Sequence, residues 1–412
     1  MKANQKYFPL LDAAGKLMNQ FLVVSNITPA DPSEVIGGNE RVVRPRLADA
    51  KFFYDQDRKK TLKSRVEGLS KVVYHNQLGT QGERTERVRA IAKGIAALLP
   101  QAKEITFVEA VDTAAQLAKT DLLTDMVGEF PELQGIMGGY YARHDGLGED
   151  VAQAIEDHYK PRFAGDELPR STVGVVVALA DKLETLAGMF SIGNLPTGDK
   201  DPFALRRHAL GVIRMLRQEN WPLSLDIVID KAVRVFTDTP SDLRESLATF
   251  LFDRMASSLR EEGFSAQEID AVLVLRPQLL SEILRRLKAV QAFSALPESA
   301  ALAAANKRIG NILKKAENVD AQVNSALLQE GAEKNLYIAM QKLLPISEKQ
   351  LHEGDYTASL QTLAALREPV DAFFDNVMVN ADDMEVRQNR QGFLKWLHEN
   401  MNFVADLSRL AS

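Results

Sequence analysis

Cysteine is absent from the 412-residue chain. The protein therefore contains no disulfide, no thiolate zinc site and no cysteine nucleophile. Aromatic residues make up only 7%, whereas alanine, leucine and valine are plentiful, which favours helices over a sheet sandwich. No apolar run reaches the roughly 18 residues needed to span a bilayer, and the N-terminus lacks the apolar core of a signal peptide. These absences predict a cytoplasmic protein without a membrane partner.

Basic residues are also fewer than acidic residues. The chain has 50 Lys and Arg residues against 56 Asp and Glu residues, for a net charge of -6. We therefore do not expect DNA as a partner, because a duplex-DNA binder presents a broad basic surface. Any nucleic-acid site must be local. The length and the apolar content of 45% are sufficient for two or three packed domains.

The first forty residues differ in pattern from the rest. Two short apolar runs, at 6–11 and 21–27, flank a turn region at Ala14-Gly15-Lys16 and predict a pair of strands. An isolated pair of strands is marginal in water, so another element must cover it. Asp31-Pro32 and Gly37-Gly38 then predict a loop.

From Pro45 onward, apolar residues recur at helical spacing. Before residue 220 this pattern predicts helices over residues 83–99, 108–128, 149–159, 172–190 and about 203–218. Leu296-Pro297 marks the best domain boundary, and the residues after it predict helices over about 298–316, 332–352, 356–376 and 383–409. The predicted fold class is mainly α, with a small N-terminal β element.

Two carboxylates in apolar helical segments raise the alternative of a metal-dependent phosphohydrolase. Such helical domains use His and Asp ligands from several helices to bind two metal ions that activate a water. Asp121 and Asp181 lie on separate apolar segments, but the six histidines are scattered and show no ligand spacing. The competing interpretation is structural, with each carboxylate buried and hydrogen-bonded or ion-paired.

Several motifs occur in the order and with the spacing of one known family. The most specific is Gly198-Asp199-Lys200-Asp201-Pro202-Phe203-Ala204-Leu205-Arg206-Arg207. The others include Asn4-Gln5-Lys6-Tyr7-Phe8, Lys119-Thr120-Asp121-Leu122, Tyr159-Lys160-Pro161-Arg162, Ala180-Asp181-Lys182-Leu183, Asn306-Lys307-Arg308-Ile309-Gly310-Asn311 and Arg367-Glu368-Pro369-Val370. On these residues the chain resembles the beta subunit of bacterial two-subunit glycyl-tRNA synthetase over nearly its whole length.

The resemblance implies four regions. It predicts the remnant of a preceding β-containing domain with a linker helix at 1–64, and an HD-like helical domain at 65–200. It further predicts a helical connecting domain at 201–295 and an anticodon-binding helical domain at 296–412, similar to that of arginyl-tRNA synthetases. The family's beta chain has additional N-terminal domains, and residues 1–60 are expected to be the tail of one of them.

The HD-like region departs from the metal-binding pattern of the HD phosphohydrolases. In this comparison Arg84 stands where a metal-binding His would be, Thr120-Asp121 replaces a His-Asp pair, and Asp181 keeps the last Asp. Arg and Thr are poor replacements for His as ligands. The resemblance therefore implies a hydrolase-like fold reused for binding, with a degenerate structural site and neither metal nor catalytic residues in this chain.

The predicted helix at 298–316 carries a cationic stripe. Lys307, Asn311 and Lys314 recur at i, i+4 and i+7, and Arg308 and Lys315 flank them. No acidic residue occurs between Glu298 and Glu317, so the stripe suits a phosphate backbone, and Asn adds a base-edge donor and acceptor. Given the resemblance, we expect these five residues to bind the tRNA anticodon arm. An ordinary solvated helix face is the alternative.

Arg387 and Arg390 form a second candidate for anticodon binding, because they are three residues apart and share a face of the last long helix. Asp382, Asp383 and Glu385 precede them on the same helix. Pairing within the helix and balance of its dipole explain the two arginines about as well.

Lys200, Arg206 and Arg207 cluster near a predicted helix N-terminus, where backbone N–H groups also favour anions. We expect these three cations to contact the tRNA backbone on its acceptor side. The alternative is a capped loop, with Asp201 as the N-cap and Pro202 at the first helical position. The two interpretations are compatible, because the cap shapes the loop while the cations face outward.

The function implied by the resemblance is recognition of tRNA(Gly) as the non-catalytic part of a glycine–tRNA ligase. The sequence contains no phosphate-binding glycine loop, no dinucleotide motif and no signature of a synthetase active site. No cofactor is therefore expected in this chain, and ATP and magnesium are expected at a partner alpha subunit that activates glycine. An HD-type phosphohydrolase and a helical interaction module without an RNA role remain the alternatives.

Overall fold

The computed structural model describes residues 7–316 and 319–411. The motif residues Asn4, Gln5 and Lys6 lie outside the described residues. The prediction of a mainly α fold with a small N-terminal β element is confirmed. Within the described ranges, no helix combines the length and the hydropathy that crossing a membrane would require.

The N-terminal element is an antiparallel hairpin, β1 (Tyr7–Leu11) and β2 (Leu17–Val23). It is followed by the long helix α1 (Pro32–Asp57), so the loop predicted at Gly37-Gly38 is wrong. The helix begins early because the Asp31 side chain accepts a hydrogen bond from the Ser33 backbone and proline occupies the first turn. Gly37 and Gly38 therefore lie within the helix, because its cap fixes where the helix begins.

The central region consists of short helices around one buried helix. These helices are α2 (Leu62–Arg65), α3 (Gln81–Ala96), α4 (Ile105–Leu117), α5 (Asp125–Glu129), α6 (Ile136–His144), α7 (Glu149–Asp157) and α8 (Thr172–Ser191). A small hairpin that the sequence did not reveal, β3 (Val73–His75) and β4 (Gly79–Thr80), precedes α3. The predicted helix over 108–128 is interrupted by a 3-10 turn at Thr120–Leu123.

Helix α8 is the centre of this region. Every residue from Val173 to Phe190 is buried. The helix packs against α3, α4 and α7, and against three helices that follow it: α9 (Leu205–Gln218), α10 (Leu225–Val233) and α11 (Leu243–Glu261). The almost continuous apolar sequence of α8 is therefore explained by its burial on all sides.

The remaining helices are α12 (Ala266–Leu273), α13 (Ile283–Ser294), α14 (Ser299–Leu313), α15 (Gly331–His352), α16 (Tyr356–Ala364), α17 (Arg367–Asn376) and α18 (Met384–Met401). The predicted helix over 356–376 is thus two helices. The core of the last five helices contains Phe373 and Phe393, whose rings meet edge to face. Because α13 packs on α16, helices on the two sides of Leu296-Pro297 are in contact. The division into four domains remains a prediction.

Candidate nucleic-acid interface

Helix α14 is oriented by its buried face. Leu302 and Ile309 are buried in the core, and Asn306 forms two side-chain hydrogen bonds with Asn402, of 2.8 and 3.1 Å. A buried amide pair of this kind is satisfied only in one rotation of the helix. The opposite face is therefore presented to solvent, with the exposed side chains of Lys307, Arg308, Asn311, Lys314 and Lys315.

Four of these five predicted residues line one surface cleft. Lys307, Arg308, Asn311 and Lys315 surround a volume of about 450 Å³ together with Asn380 and Gln391. The Arg308 guanidinium lies 4.3 Å from the centre of the Phe374 ring, which holds its planar group at the side of the cleft. Lys314, at the C-cap position of the helix, does not line the cleft.

The cleft, which we call the α14 cleft, is cationic. Among the described residues that line the cleft, three are cations and none is a carboxylate. Among the residues that the structure describes, Lys307, Arg308 and Lys315 form no ion pair. Unpaired cations next to the amide groups of Asn311, Asn380 and Gln391 can bind a phosphate and the polar edge of an unstacked base.

Arg390 lies inside the fold, contrary to the exposed position expected for an RNA contact. It is buried and pairs with Glu333, and it also donates to the Met378 carbonyl at 2.8 Å. Burial raises the pKa of Glu333, but the hydrogen bonds from Arg390 and two backbone N–H groups outweigh it and leave the pKa below its usual value. Arg387 donates to the Ala381 carbonyl at 2.8 Å. Both arginines thus hold the start of α18.

The loop before α9 is built around Asp201. Its carboxylate accepts hydrogen bonds from the backbone N–H groups of Leu205 at 2.7 Å and Arg206 at 3.0 Å. The helix begins at Leu205 with Ala204 at the N-cap position, so the expectation of Asp201 as the N-cap and Pro202 at the first helical position is wrong, although the Asp201 carboxylate accepts from the first two N–H groups of the helix. Arg206 donates to the Gly198 carbonyl, whereas Lys200 and Arg207 are exposed. Arg207 lines a different cleft, which also contains Arg214 and Arg217.

Two of the four residues predicted for the HD-like site, Arg84 and Asp181, belong to a buried ion cluster. Arg84 pairs with Asp181 at 3.0 Å and with Glu184 at 2.9 Å, and Lys119 pairs with Asp181 at 3.2 Å. Arg87 reaches the second oxygen of Glu184 at 2.8 Å. Burial raises the pKa of Asp181, but the surrounding cations outweigh it and hold the pKa far below its usual range.

Thr120 and Asp121 contact the backbone. The Thr120 hydroxyl donates to the Leu117 carbonyl at 2.7 Å. One Asp121 oxygen accepts from the backbone N–H groups of Gly135 at 2.6 Å and Gly138 at 3.0 Å. The approach is close because Gly138 has no Cβ, and a Cβ there would come within 3.0 Å of that oxygen.

These residues do not suit a divalent cation, since Arg84 and Lys119 already neutralise Asp181. In the part of the chain that the structure describes, no group of three His, Cys, Asp or Glu residues is placed to hold a metal. That the site binds no metal stays a prediction.

Sequence reasoning missed four contributors to these sites. Glu184 lies three residues after Asp181 on a buried helix, and Lys119 directly precedes the Thr120-Asp121 pair, so both were detectable as charges in apolar segments. Asn380 and Gln391 come from α18 and the loop before it, far in sequence from α14. No local pattern indicates that contact.

Two family models match the chain. The model described as "Glycyl-tRNA synthetase beta subunit" matches residues 1–274, and the model described as "DALR anticodon binding domain" matches residues 302–403. The second match contains the whole α14 cleft.

Curated relatives named "Glycine--tRNA ligase beta subunit" match along all of the chain. The protein of Delftia acidovorans is 69% identical over 100% of this chain and 58% of its own length. Those of Acidovorax sp. (strain JS42) and Paracidovorax citrulli are each 68% identical over 100% of this chain, and over 59% and 58% of their own lengths. The chain thus spans a little under three fifths of the length of these relatives.

Proposed function

Because this chain belongs to the glycyl-tRNA synthetase beta subunit family, we propose that it recognises tRNA(Gly) as part of a glycine–tRNA ligase. The observation that carries the proposal is the α14 cleft. It lies within the residues matched by the anticodon-binding family and combines three cations with three amide side chains. An overall acidic chain can bind RNA through such a local cationic site.

In this proposal the anticodon loop enters the α14 cleft. Lys307, Arg308 and Lys315 bind phosphates, which fixes the position of the loop but carries no sequence information. Asn311 presents both a donor and an acceptor to a base edge, which can discriminate between bases. The Arg308 guanidinium, held against Phe374, offers its outer face to a neighbouring base.

A second contact is proposed at the exposed side chains of Lys200 and Arg207, near the start of α9. Phosphates on the acceptor side of the tRNA would bind there, and Arg206 would act indirectly by bracing the loop through Gly198. Arg387 and Arg390 are not included, because their hydrogen bonds with the protein account for them.

We further propose that a separate alpha subunit activates glycine with ATP and magnesium, and that this chain supplies recognition and not the chemical step. Protein synthesis places such a ligase in the cytoplasm. A phosphohydrolase activity is not favoured, because Arg84 and Lys119 surround the carboxylate that a metal would need.

Titration of tRNA(Gly) against the chain and a double variant tests the proposal. Lys307→Ala with Lys315→Ala removes two cations of the cleft, and we expect binding to weaken by more than about tenfold at low salt. Lys334→Ala with Lys342→Ala is the matched control, because these exposed lysines have the same spacing on α15 and lie outside the cleft. Equal affinity of the two double variants would overturn the proposal.

A further inference from the structure

A second cleft opens beside the buried ion cluster of the HD-like region. Its volume is about 370 Å³. Three of its lining side chains, Arg84, Lys119 and Asp181, are at least nine-tenths buried, with exposed fractions of 3 to 6%. Helix α8 supplies Asp181, whereas Arg84 comes from α3 and Lys119 follows α4, so three elements meet there. We call it the α8 cleft.

Positive charge exceeds negative charge around the α8 cleft. The ion pairs join Arg84, Arg87 and Lys119 to only two carboxylates, those of Asp181 and Glu184. The buried Lys182 is a fourth cation, and it donates to the Tyr159 carbonyl at 3.1 Å. Asp121 also attracts Lys119, and Asp166 attracts Lys182 while it pairs with Arg162, so that five cations face four carboxylates among the described residues. An unbalanced buried charge is costly unless an anion compensates it.

Polar side chains that line the α8 cleft also have buried atoms without hydrogen-bond partners among the described residues. Among the described residues, the buried Tyr74 hydroxyl, the Gln81 side-chain oxygen and the His208 Nδ1 form no hydrogen bond. Burial raises the pKa of Tyr74, so its hydroxyl keeps its proton and can donate. The Gln81 amide can present either its oxygen or its NH₂ group after rotation. Unpartnered buried polar groups of this number call for a polar ligand.

We propose that the α8 cleft binds the phosphate group of a small phosphomonoester, without a metal ion. Arg84 and Lys119 supply charged donors at the bottom of the cleft, and Tyr74 adds a neutral one. The volume exceeds that of a phosphate ion, and Leu122, Met189 and Phe203 provide an apolar wall for an organic group. A nucleoside 5′-phosphate has this chemistry, either as a free molecule or as an unpaired nucleotide of an RNA.

Calorimetric titration of the full chain with inorganic phosphate, adenosine 5′-monophosphate and adenosine tests the proposal. We expect the two phosphate compounds to bind and adenosine, which lacks the phosphate, to bind at least about tenfold more weakly. Tyr74→Phe should weaken the binding of adenosine 5′-monophosphate by about fivefold, because it removes one neutral donor. Lys119→Met should weaken this binding by more than about tenfold, because it removes a charged donor.

Tyr140→Phe is the matched control, since Tyr140 is exposed on α6 and does not line the α8 cleft. The Tyr74 hydroxyl lies near the Thr185 side chain but forms no hydrogen bond of good geometry among the described residues, so Tyr74→Phe should keep the melting temperature of the wild type, which makes it informative even if Lys119→Met does not fold. Absence of binding by both phosphate compounds at millimolar concentration would overturn the proposal. So would wild-type affinity in Tyr74→Phe and Lys119→Met together.

The same titration in the presence of saturating tRNA(Gly) identifies the source of the phosphate. Loss of adenosine 5′-monophosphate binding would show that an RNA nucleotide occupies the α8 cleft, whereas unchanged binding would show a free ligand. Both outcomes support a phosphate site. The proposal does not depend on tRNA recognition by the α14 cleft, because its primary measurement uses small molecules alone.

Discussion

At the scale of single residues, the buried ion cluster shows how cations neutralise a carboxylate inside the fold. Arg84 and Lys119 both pair with Asp181, so its negative charge is compensated without a metal ion among the described residues. A buried ion pair contributes little when compared with an apolar core, whereas removal of one partner leaves the other charge buried and unpaired. The cluster is therefore sensitive to change without being a source of stability.

Replacement of Asp181 tests this sensitivity. Asp181→Asn keeps the size of the side chain but removes the charge that faces Arg84 and Lys119, so we expect the free energy of unfolding to fall by about 3–5 kcal/mol. Urea unfolding followed by circular dichroism measures it. Asp112→Asn is the control, because its pair with Arg89 is partly exposed and should contribute less than about 1 kcal/mol. Equal losses in the two variants would contradict the buried cluster.

Asp121 makes the stability of the protein depend on pH in a defined window. Burial raises its pKa to about 6, although the N–H groups of Gly135 and Gly138 oppose the shift. The folded state therefore binds the proton more tightly than the unfolded state, whose pKa is about 4. Stability from this group is fully present below about pH 4 and is lost as the pH rises to about 6.

Asp121→Asn isolates this contribution, because an amide does not titrate and its oxygen can accept the same hydrogen bonds. The free energy of unfolding of the wild type minus that of the variant should fall between about pH 4 and pH 6, by up to about 3 kcal/mol, and stay constant above. Urea unfolding at a series of pH values gives both curves. A difference that does not change with pH would show that Asp121 keeps an ordinary pKa.

At the scale of elements, close contact between α18 and the segment before α15 explains one glycine. A Cβ at Gly392 would come within 2.4 Å of the Gln322 carbonyl oxygen and 2.8 Å of that of Asp320. The contact is fixed from both sides, since Asn389 donates to and accepts from the backbone of Asn324. Glycine is thus needed at position 392 because the neighbouring backbone leaves no room for a Cβ, and not because of its own backbone conformation.

Two glycine-to-alanine variants should therefore change stability in opposite directions. Gly392→Ala should lower the free energy of unfolding by about 1–3 kcal/mol, because the neighbouring segment must move. Gly310→Ala, within α14, meets only the His398 ring at 3.6 Å and should raise it by up to about 1 kcal/mol through helix propensity. Thermal unfolding of both variants measures the signs. Destabilisation by Gly310→Ala would show that α14 is closer to its neighbours than the structure indicates.

Periodicity predicted most helices, and its failures have identifiable causes. The buried helix α8 was predicted over 172–190 and extends over Thr172–Ser191, because an apolar run with a Ser cap has few alternatives. The segment 108–128 was predicted as one helix, but the buried Thr120 hydroxyl bonds the Leu117 carbonyl where the chain turns. Apolar spacing does not detect such a side-chain bond to the backbone.

Only the part of the candidate site that lies on one helix could be predicted from the sequence. The cations of α14 were visible because a run without acidic residues lies on one helix face. The opposite walls of the cleft were not visible, because Asn380 and Gln391 reach it only through tertiary packing. Arg390 was predicted as a site residue but is paired inside the fold. The sequence does not reveal that Glu333, 57 residues away, neutralises it.

At the scale of the whole molecule, the proposed tRNA binding must overcome a net charge of -6. Long-range repulsion between the acidic chain and RNA is screened within about 8–10 Å at physiological salt, so the local cations of the α14 cleft decide the affinity. The slope of log affinity against log salt then counts the phosphates that these cations neutralise, at about 0.7 per contact on a single-stranded loop.

The two neighbouring lysines that directly follow α14 give the sharpest test of this geometry. Lys315→Ala should weaken the binding of all tRNAs and reduce the salt slope by about 0.7, because Lys315 lines the cleft, whereas Lys314→Ala should change neither. Asn311→Ala should leave the slope unchanged and reduce the preference for tRNA(Gly) over an anticodon variant, because a base contact carries specificity without releasing counterions. Filter binding at several salt concentrations measures both quantities. Equal effects of Lys314→Ala and Lys315→Ala would mean that RNA follows the helix surface and does not enter the cleft.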